Sequence, residues 1–380
     1  MLSNFLLEDI YNQLEDSYQS SISSGIIDPL SFAELEGISA FDSAPLFERM
    51  LKSKLDYTSR FGSKLVREQI SSTLYQDLSP DDLILTSGAS EAIFLLFSSL
   101  FEVGDTIVVQ KPIYQSLYQI ALDRGLKVIG IEHKLAEVDE FLGQVEAQLK
   151  TQKPKALVLN NPNNPTGFLL NNSALSKLTE LCKEHGTWLI VDEVFAQIIP
   201  KQKSAINFYE QAIVISDLSK AFSLPGLRLG WIACKDKGLR SKFSSHKNYL
   251  SLRTNILAEI VAEEVLPYKQ EILERNRKIL ASNFEDFVKD KNQDEFLSLF
   301  DYGKLEELDY VPPGIFPKLK DTSFDLPHYC QEILNKEQLF ILEGECFDAP
   351  AHIRLGFGTN ISAQLAKISS VKNDKQPLFR

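Results

Sequence analysis

The chain has 380 residues, of which 44% are hydrophobic and 10% aromatic, and its formal net charge is −12. This length indicates one large domain with a smaller companion, and the apolar content is enough to bury a core, which excludes a disordered chain. The negative charge argues against nucleic acid or an anionic membrane as a partner, because both attract positive surfaces.

The four cysteines form no Cys-x-x-Cys pair and the five histidines have no spaced partners, so no metal site is predicted. Unpaired thiols fit a reduced compartment. The apolar stretch Ala92 to Phe101 is interrupted by two serines and is far too short to span a bilayer. The sequence therefore predicts a soluble, cytoplasmic protein.

The chain begins with a predicted helix from Leu2 to about Ser20, and glycine and proline break the stretch that follows it. This N-terminal part carries no recognisable motif. In the next segment Tyr57 stands five residues before Gly62, and a Leu-x-Arg string opens a helix. This spacing becomes informative only together with the segments that follow.

A short predicted strand, residues 83–86, leads into the small residues Gly88, Ala89 and Ser90 at the start of an apolar helix. The first N–H groups of a helix lack backbone partners and carry the positive end of the helix dipole, which suits a phosphate. The small side chains let an anion come close. This turn is a candidate phosphate site.

Strands and helices then alternate as far as residue 215. Strands are predicted at 106–110, 126–131, 156–160, 188–191 and 212–215, with helices at 114–124, 137–150 and 173–185. Such alternation predicts an α/β fold with a mostly parallel sheet covered by helices on both faces. Because ligands of such sheets lie beyond the carboxyl ends of the strands, polar residues there are candidate site residues.

Three such residues follow predicted strands. Tyr114 stands at the start of a helix, and Asn164 lies in a turn formed by two Asn-Pro units that ends in Asn-Pro-Thr-Gly. Asp192 ends an apolar strand, where a carboxylate needs a cationic or hydrogen-bond-donating partner.

Between two further apolar strands lies a hydroxyl-rich loop that contains a single lysine, Lys220, and Arg228 follows eight residues later. Desolvation disfavours the ammonium, so a lysine at this position must be solvated, paired or covalently used. Covalent use means Schiff-base chemistry.

After about residue 235 the pattern changes. Helices are predicted at 256–266, 268–289 and 326–335, and strands at 307–311, 315–319, 338–342 and 352–357. This mixture predicts a small α+β domain. Arg354 stands inside the last strand, where its guanidinium can hold a carboxylate in a bidentate pair.

In chain order and spacing, these segments resemble the class I/II aminotransferases, fold type I enzymes that depend on pyridoxal 5'-phosphate (PLP). The likeness runs from about Tyr57 to Arg354. It implies an N-terminal arm that joins the small domain (residues 1–45), a large PLP-binding domain (46–250), a small C-terminal domain (251–380) and a homodimer.

The resemblance also implies a role for each candidate. Lys220 forms the internal aldimine and moves the proton at the substrate Cα, Asp192 pairs with the pyridine nitrogen, and Tyr114 stacks on the ring. Asn164 bonds to the pyridine O3′ and borders the substrate, whose α-carboxylate Arg354 holds. The phosphate is bound by Gly88, Ala89, Ser90, Ser219, Arg228 and, from across the dimer interface, Tyr57.

Two positions depart from the family pattern. Phe195 stands where a tyrosine usually donates to O3′, and Asp217 stands where a serine or threonine commonly touches the phosphate. Because an anion beside a phosphate is unfavourable, Asp217 is predicted to point away, with Ser219 or Ser216 supplying the hydroxyl.

The predicted activity is transfer of an amino group between an L-amino acid and a 2-oxo acid. An alternative is a PLP-dependent lyase or cyclase that uses the same aldimine for elimination, replacement or ring closure. A PLP-fold transcriptional regulator is a third reading, disfavoured because such proteins carry a basic helix-turn-helix arm. The amino acid is not identified, because the sequence is irregular at 311–314 and 343–347, where substrates are selected.

Overall fold

The protein is described here from a computed structural model that covers residues 2–371. Within them the helices are α1 (Leu6–Leu14), α2 (Phe32–Ile38), α3 (Ser43–Lys52), α4 (Lys64–Leu74), α5 (Gly88–Leu100), α6 (Ser116–Asp123), α7 (Val138–Gln152), α8 (Asn172–His185), α9 (Lys237–Lys247), α10 (Ile256–Val265), α11 (Lys269–Asp290), α12 (Leu326–Glu337) and α13 (Ile361–Ser370). The strands are β1 (Ser20–Ser21), β2 (Leu83–Thr86), β3 (Thr106–Lys111), β4 (Lys127–Glu132), β5 (Ala156–Asn160), β6 (Trp188–Asp192), β7 (Ala212–Asp217), β8 (Gly230–Cys234), β9 (Phe300–Asp301), β10 (Gly314–Ile315), β11 (Lys318–Leu319), β12 (Leu339–Phe340), β13 (Leu342–Glu343) and β14 (Ile353–Gly356).

Seven strands form the central sheet in the order β2-β8-β7-β6-β5-β3-β4. Its strands are parallel except β8, which runs antiparallel to both of its neighbours. Alternate residues of one strand enter different cores: Leu157 and Leu159 pack on one face, and Ala156 and Val158 on the other. The predicted α/β class with a mostly parallel, helix-covered sheet is confirmed.

The register of this sheet brings polar residues from distant parts of the chain into one row. Asn160 at the end of β5 is level with Asp192 at the end of β6. On the other side, Gly230 at the start of β8 is level with both Thr86 and Asp217. Because the carboxyl ends of parallel strands meet at one edge, these residues and the loops after them face a common space.

The C-terminal part contains a three-stranded sheet, β10-β14-β13, beside α11, α12 and α13. The N-terminal arm docks on this part, since β1 pairs in parallel with β12. Beyond β1 the arm lies against β14: a Cβ added to Gly356 would be 1.9 Å from the Ser24 carbonyl oxygen, so only glycine permits this approach.

Two predicted elements were wrong in extent or kind. The first helix is α1 alone, because Gln19 leaves the helical path and donates to the Gln338 carbonyl beside β12. No strand forms at 307–311; Tyr310 instead donates to the Gly167 carbonyl at 2.7 Å. The division into arm and two domains stays a prediction, and residues 372–380 of the predicted small domain lie outside the described residues.

Candidate active site

Lys220 lies on the loop between β7 and β8, half-buried at the carboxyl edge of the sheet. Burial lowers the pKa of its ammonium below the ordinary value of 10.5, and the Asp217 carboxylate is the largest opposing influence. Arg354 and Arg228 lower this pKa further. An amine whose charged form is disfavoured is available as a nucleophile and as a base.

Asp192 ends β6 and is almost fully buried. Its Oδ1 accepts the Val194 N–H at 3.0 Å. Burial raises the pKa of this carboxyl to about 7, although the Lys220 ammonium acts in the opposite direction. A buried carboxylate with a raised pKa lacks a strong cationic partner, and a protonated ring nitrogen is such a partner.

Beside Lys220, the loop before β8 meets the start of α5. A Cβ on Gly88 would lie 2.5 Å from Nη2 of Arg228, so the guanidinium rests directly on this glycine. Gly230 approaches the same turn, because a Cβ there would lie 2.9 Å from the Ala89 nitrogen. Ser90 is exposed on the first turn of α5. Four of the predicted phosphate-binding residues, Gly88, Ala89, Ser90 and Arg228, thus lie together at the start of α5.

Asp217 faces the start of α5, and the prediction that it points away was wrong. Its carboxylate accepts the Ala89 N–H at 3.2 Å and both the N–H and the hydroxyl of Ser219 at 2.8 Å. These donors draw the carboxylate inward. Ser216, the other candidate hydroxyl, donates to the Glu193 carbonyl in the core and is not available.

Arg354 reaches this site from β14, on the other side of the cleft, and is buried. Its Nε donates to the Ser23 carbonyl at 2.8 Å, which ties the guanidinium to the N-terminal arm. Nη1 donates to Oδ1 of Asn164 at 3.2 Å, and Nη2 to the Tyr11 hydroxyl at 2.7 Å. The guanidinium has five N–H groups. Three of them make these contacts, so two remain for a ligand.

Tyr114 stands between these groups. Burial raises the pKa of its phenol, and the charges of Glu8 and Asp192 raise it further, while Arg354 acts in the opposite direction. The hydroxyl donates to Oε1 of Glu8 at 3.2 Å. Glu8 and Tyr11, both on α1, are site residues that the sequence did not reveal.

Phe195 is buried and lines a cavity together with Asn164 and Arg354, so it borders the site but offers no donor. Tyr57 behaves differently: 75% of its surface is exposed, on the loop between α3 and α4. Tyr57 is therefore not gathered with the other predicted residues of its own chain.

The donors and charges fit PLP. The Ala89 N–H, Ser219 and Arg228 are donors that suit its phosphate, a buried carboxylate suits its ring nitrogen, and a half-buried lysine suits its aldehyde. Within residues 2–371, no group of three or more His, Cys, Asp or Glu side chains is arranged to hold a metal ion.

The sheet topology and this donor set define an α/β protein of fold type I that uses PLP. The family described as aminotransferase class I and II matches residues 48–367. This chain belongs to that family.

Several known proteins are similar to this chain over most of its length. An aspartate aminotransferase of Thermotoga maritima is 25% identical over 320 residues, covering 82% of this chain and 81% of its own. A PLP-dependent aminotransferase of Streptococcus suis, solved as a crystal structure, has a TM-score of 0.85 at 28% identity, with 97% of both chains covered. The PLP-dependent cyclase OrfR has a TM-score of 0.83 at 25% identity, again over 97% of both chains.

The predicted enzyme class and cofactor are confirmed: the protein is a PLP-dependent aminotransferase that acts on amino acid and 2-oxo acid substrates. None of the helices within residues 2–371 has the length and apolarity needed to cross a membrane.

Proposed function

We propose that Lys220 binds PLP covalently and that Asp192, Asn164 and Tyr114 hold its ring while Arg354 orients the amino acid. One observation carries this proposal: Arg354 reaches across the cleft to the Asn164 amide, so the groups for cofactor and substrate border the same space. The charges of Arg354 and Asp217 both act on the Lys220 amine in that space.

PLP, when bound, supplies an electron sink that stabilises negative charge at the substrate Cα. Asp192 keeps the ring nitrogen protonated. Asn164 accepts from Arg354 through its amide oxygen, which leaves its NH2 group to donate to the ring oxygen. Lys220, whose pKa burial lowers, takes the proton from Cα and delivers it in the reverse direction.

Arg354 is held by Ser23, Asn164 and Tyr11, and its two remaining N–H groups take the α-carboxylate. A guanidinium fixed from three sides loses little side-chain entropy when the substrate binds, so binding energy goes into aligning the Cα–H bond. Gly88, Ala89, Ser90, Ser219 and Arg228 take the phosphate.

The assembly proposed is a homodimer, in which Tyr57 of one subunit reaches the phosphate held by the other. The support is a group of exposed apolar side chains near Tyr57: Leu51 and Leu55 are 88% and 78% exposed. Large exposed apolar side chains in one segment are typical of an interface. The proposed location is the cytoplasm, supported by the four buried, unpaired cysteines within residues 2–371.

The first experiment tests Lys220. Borohydride reduction of the holoenzyme followed by peptide mapping should fix the cofactor on Lys220, and Lys220→Ala should abolish the fixed adduct while retaining some PLP through the phosphate site. The exposed Lys237→Ala is the matched control and should label normally. A fixed cofactor on any other lysine contradicts the assignment.

The second experiment separates transfer from its alternative. Amino acids added to the holoenzyme without an oxo acid should leave pyridoxamine phosphate and the matching 2-oxo acid. Ammonia or a cyclic product instead would favour a lyase or cyclase, the candidate that the likeness to a PLP-dependent cyclase keeps open.

A further inference from the structure

The N-terminal helix α1 brings two polar side chains into the proposed active site. Glu8 and Tyr11 are three residues apart and therefore lie on one face of the helix. Tyr11 accepts from Nη2 of Arg354 at 2.7 Å, and Glu8 accepts from the Tyr114 hydroxyl at 3.2 Å. Leu7, one turn before Tyr11, is buried against the C-terminal part and fixes the helix there.

Glu8 differs from Tyr11 because it carries a negative charge. Its carboxylate makes no ion pair with a Lys, Arg or His side chain of residues 2–371, and its side chain is exposed. The carboxylate still acts on the site, because its charge raises the pKa of both Lys220 and Tyr114.

The other charges that face this space already have partners or proposed roles. Arg354 takes the α-carboxylate, Lys220 takes the cofactor and Asp192 takes the ring nitrogen. Lys111, after which the chain turns toward Tyr114, lies 3.2 Å from Asp348 and is neutralised by it. Glu345, near Cys346 on the Arg354 side of the cleft, adds further negative charge.

We propose that Glu8 selects an amino acid whose side chain ends in a cation, an ammonium or a guanidinium. This inference rests on the proposed function, because Arg354 and Lys220 must fix the α-carboxylate and the amine for the side chain to extend toward α1. A charge-assisted bond to Glu8 stabilises a cation, whereas a side-chain carboxylate is repelled.

Glu8 lies outside the region that defines the family. The family match begins at residue 48 and leaves out the arm that carries Glu8 and Tyr11. The charge of Glu8 therefore belongs to a part of the chain that membership of the family does not specify.

The test compares kcat/KM of the holoenzyme for ornithine, lysine and arginine with that for aspartate and for norvaline, an uncharged analogue of ornithine. Glu8→Gln keeps an oxygen for the Tyr114 hydroxyl and removes only the charge. It should lower kcat/KM for the cationic substrates by about 10- to 100-fold more than for norvaline, the range for a hydrogen bond to a charged group. Any effect of the lost charge on Lys220 is common to both kinds of substrate and cancels in this comparison. Asp9→Asn, on the same helix, is the control and should change kcat/KM neither for the cationic substrates nor for norvaline.

Binding is measured separately with α-methylornithine and α-methylaspartate, which lack the Cα proton and cannot react further. The native holoenzyme should bind the first more tightly, and Glu8→Gln should remove most of the difference. A native preference for aspartate, or equal losses for ornithine and norvaline, overturns the inference while leaving amino transfer intact. Charge-dependent binding without any oxo acid product would instead refute the proposed reaction and retain the role of Glu8.

Discussion

Asp217 stands where the resemblance to the family predicts a serine or threonine. Its carboxylate occupies the donors proposed for the phosphate: the Ala89 N–H and both donors of Ser219. It is also the largest influence that counters the loss of charge on Lys220. The same carboxylate therefore stabilises the lysine and competes with the cofactor.

Removing this charge should tighten PLP binding. Asp217→Asn keeps the size of the side chain, and Asp217→Ser supplies a hydroxyl; both should lower the dissociation constant by at least about tenfold, since about 1.4 kcal/mol of repulsion corresponds to that factor. Equilibrium titration of the cofactor-free protein with PLP measures the dissociation constant. Weaker binding in both variants would mean that Asp217 acts chiefly by holding Ser219 and Lys220 in place.

Asp192 should make the cofactor-free protein less stable as the pH rises. Burial raises the pKa of this carboxyl from 3.8 to about 7. The folded protein therefore holds a proton that the unfolded chain has lost, so the contribution to stability falls between about pH 4 and pH 7 and stays lost above that window. Glu193 is also buried, and its pKa is raised to about 7. Its contribution to stability therefore falls over a similar pH range.

Asp192→Asn cannot ionise, and its amide oxygen can still accept the Val194 N–H. The variant should gain up to about 4 kcal/mol in free energy of unfolding over the native apoprotein at about pH 8 and little at about pH 4, because one pKa unit is about 1.4 kcal/mol. Denaturant unfolding at several pH values checks this, with the exposed Asp16→Asn as control. A gain independent of pH would rule out ionisation as its cause.

At the scale of the element, α1 forms one wall of the active site and packs on the C-terminal part. It has nine residues, too few for a stable helix in isolation, so its packing determines whether it forms. Leu7 is 3% exposed and packs in a cluster with Leu334, Phe340, Leu342, Cys346 and Phe347. Detaching α1 would remove Glu8 and Tyr11 from the site together.

Leu7→Ala should loosen α1 without unfolding the protein. A buried Leu→Ala change costs about 2–5 kcal/mol, and Leu7 is the one fully buried residue of α1, so local opening of this helix should become easier. Amide hydrogen exchange in residues 6–14 should become faster and KM for the amino acid should rise, while PLP still binds. Leu6→Ala, at a position 50% exposed, is the matched control. Unchanged exchange in the Leu7 variant would show that other contacts hold α1.

At the scale of the whole molecule, the exposed segment around Leu55 and Tyr57 predicts that assembly and cofactor affinity are linked. Leu55→Asp places a charge in the proposed interface and should yield monomers by light scattering, with weaker PLP binding. Val103→Asp, at a position 82% exposed but distant in sequence, should remain dimeric. A dimer that persists in Leu55→Asp would place the interface elsewhere.

The same pair of residues gives a double-mutant cycle. Tyr57→Phe should weaken PLP binding by about tenfold or more in the dimer, the effect of losing a hydrogen bond to a charged group. In the Leu55→Asp monomer the same change should have no effect, because Tyr57 no longer reaches a phosphate. Equal losses in both backgrounds would mean that Tyr57 acts within its own subunit.

The strands of the central sheet and the loops after them could be predicted from the sequence because their signals are local. Buried apolar runs of four to six residues specify β2, β5, β6 and β7. Asp192 and Lys220 follow such runs directly, so the edge of the sheet to which they belong was predictable. The strand predicted at 307–311 does not form, because strand formation also requires a partner that is distant in sequence. Its apolar residues have no neighbouring strand to pair with, and Pro312 and Pro313 end the run.

By itself, the sequence determined the α/β class, the loop that carries Lys220 and the polar residues at the strand ends, because each depends on neighbours a few positions away. Only the tertiary structure decided the direction of Asp217 and the entry of Glu8 and Tyr11 into the site. Those depend on contacts between residues that are 128, 106 and 343 positions apart in the sequence. A side chain turns toward whichever donors or charges the fold brings near it, and no local pattern encodes those partners.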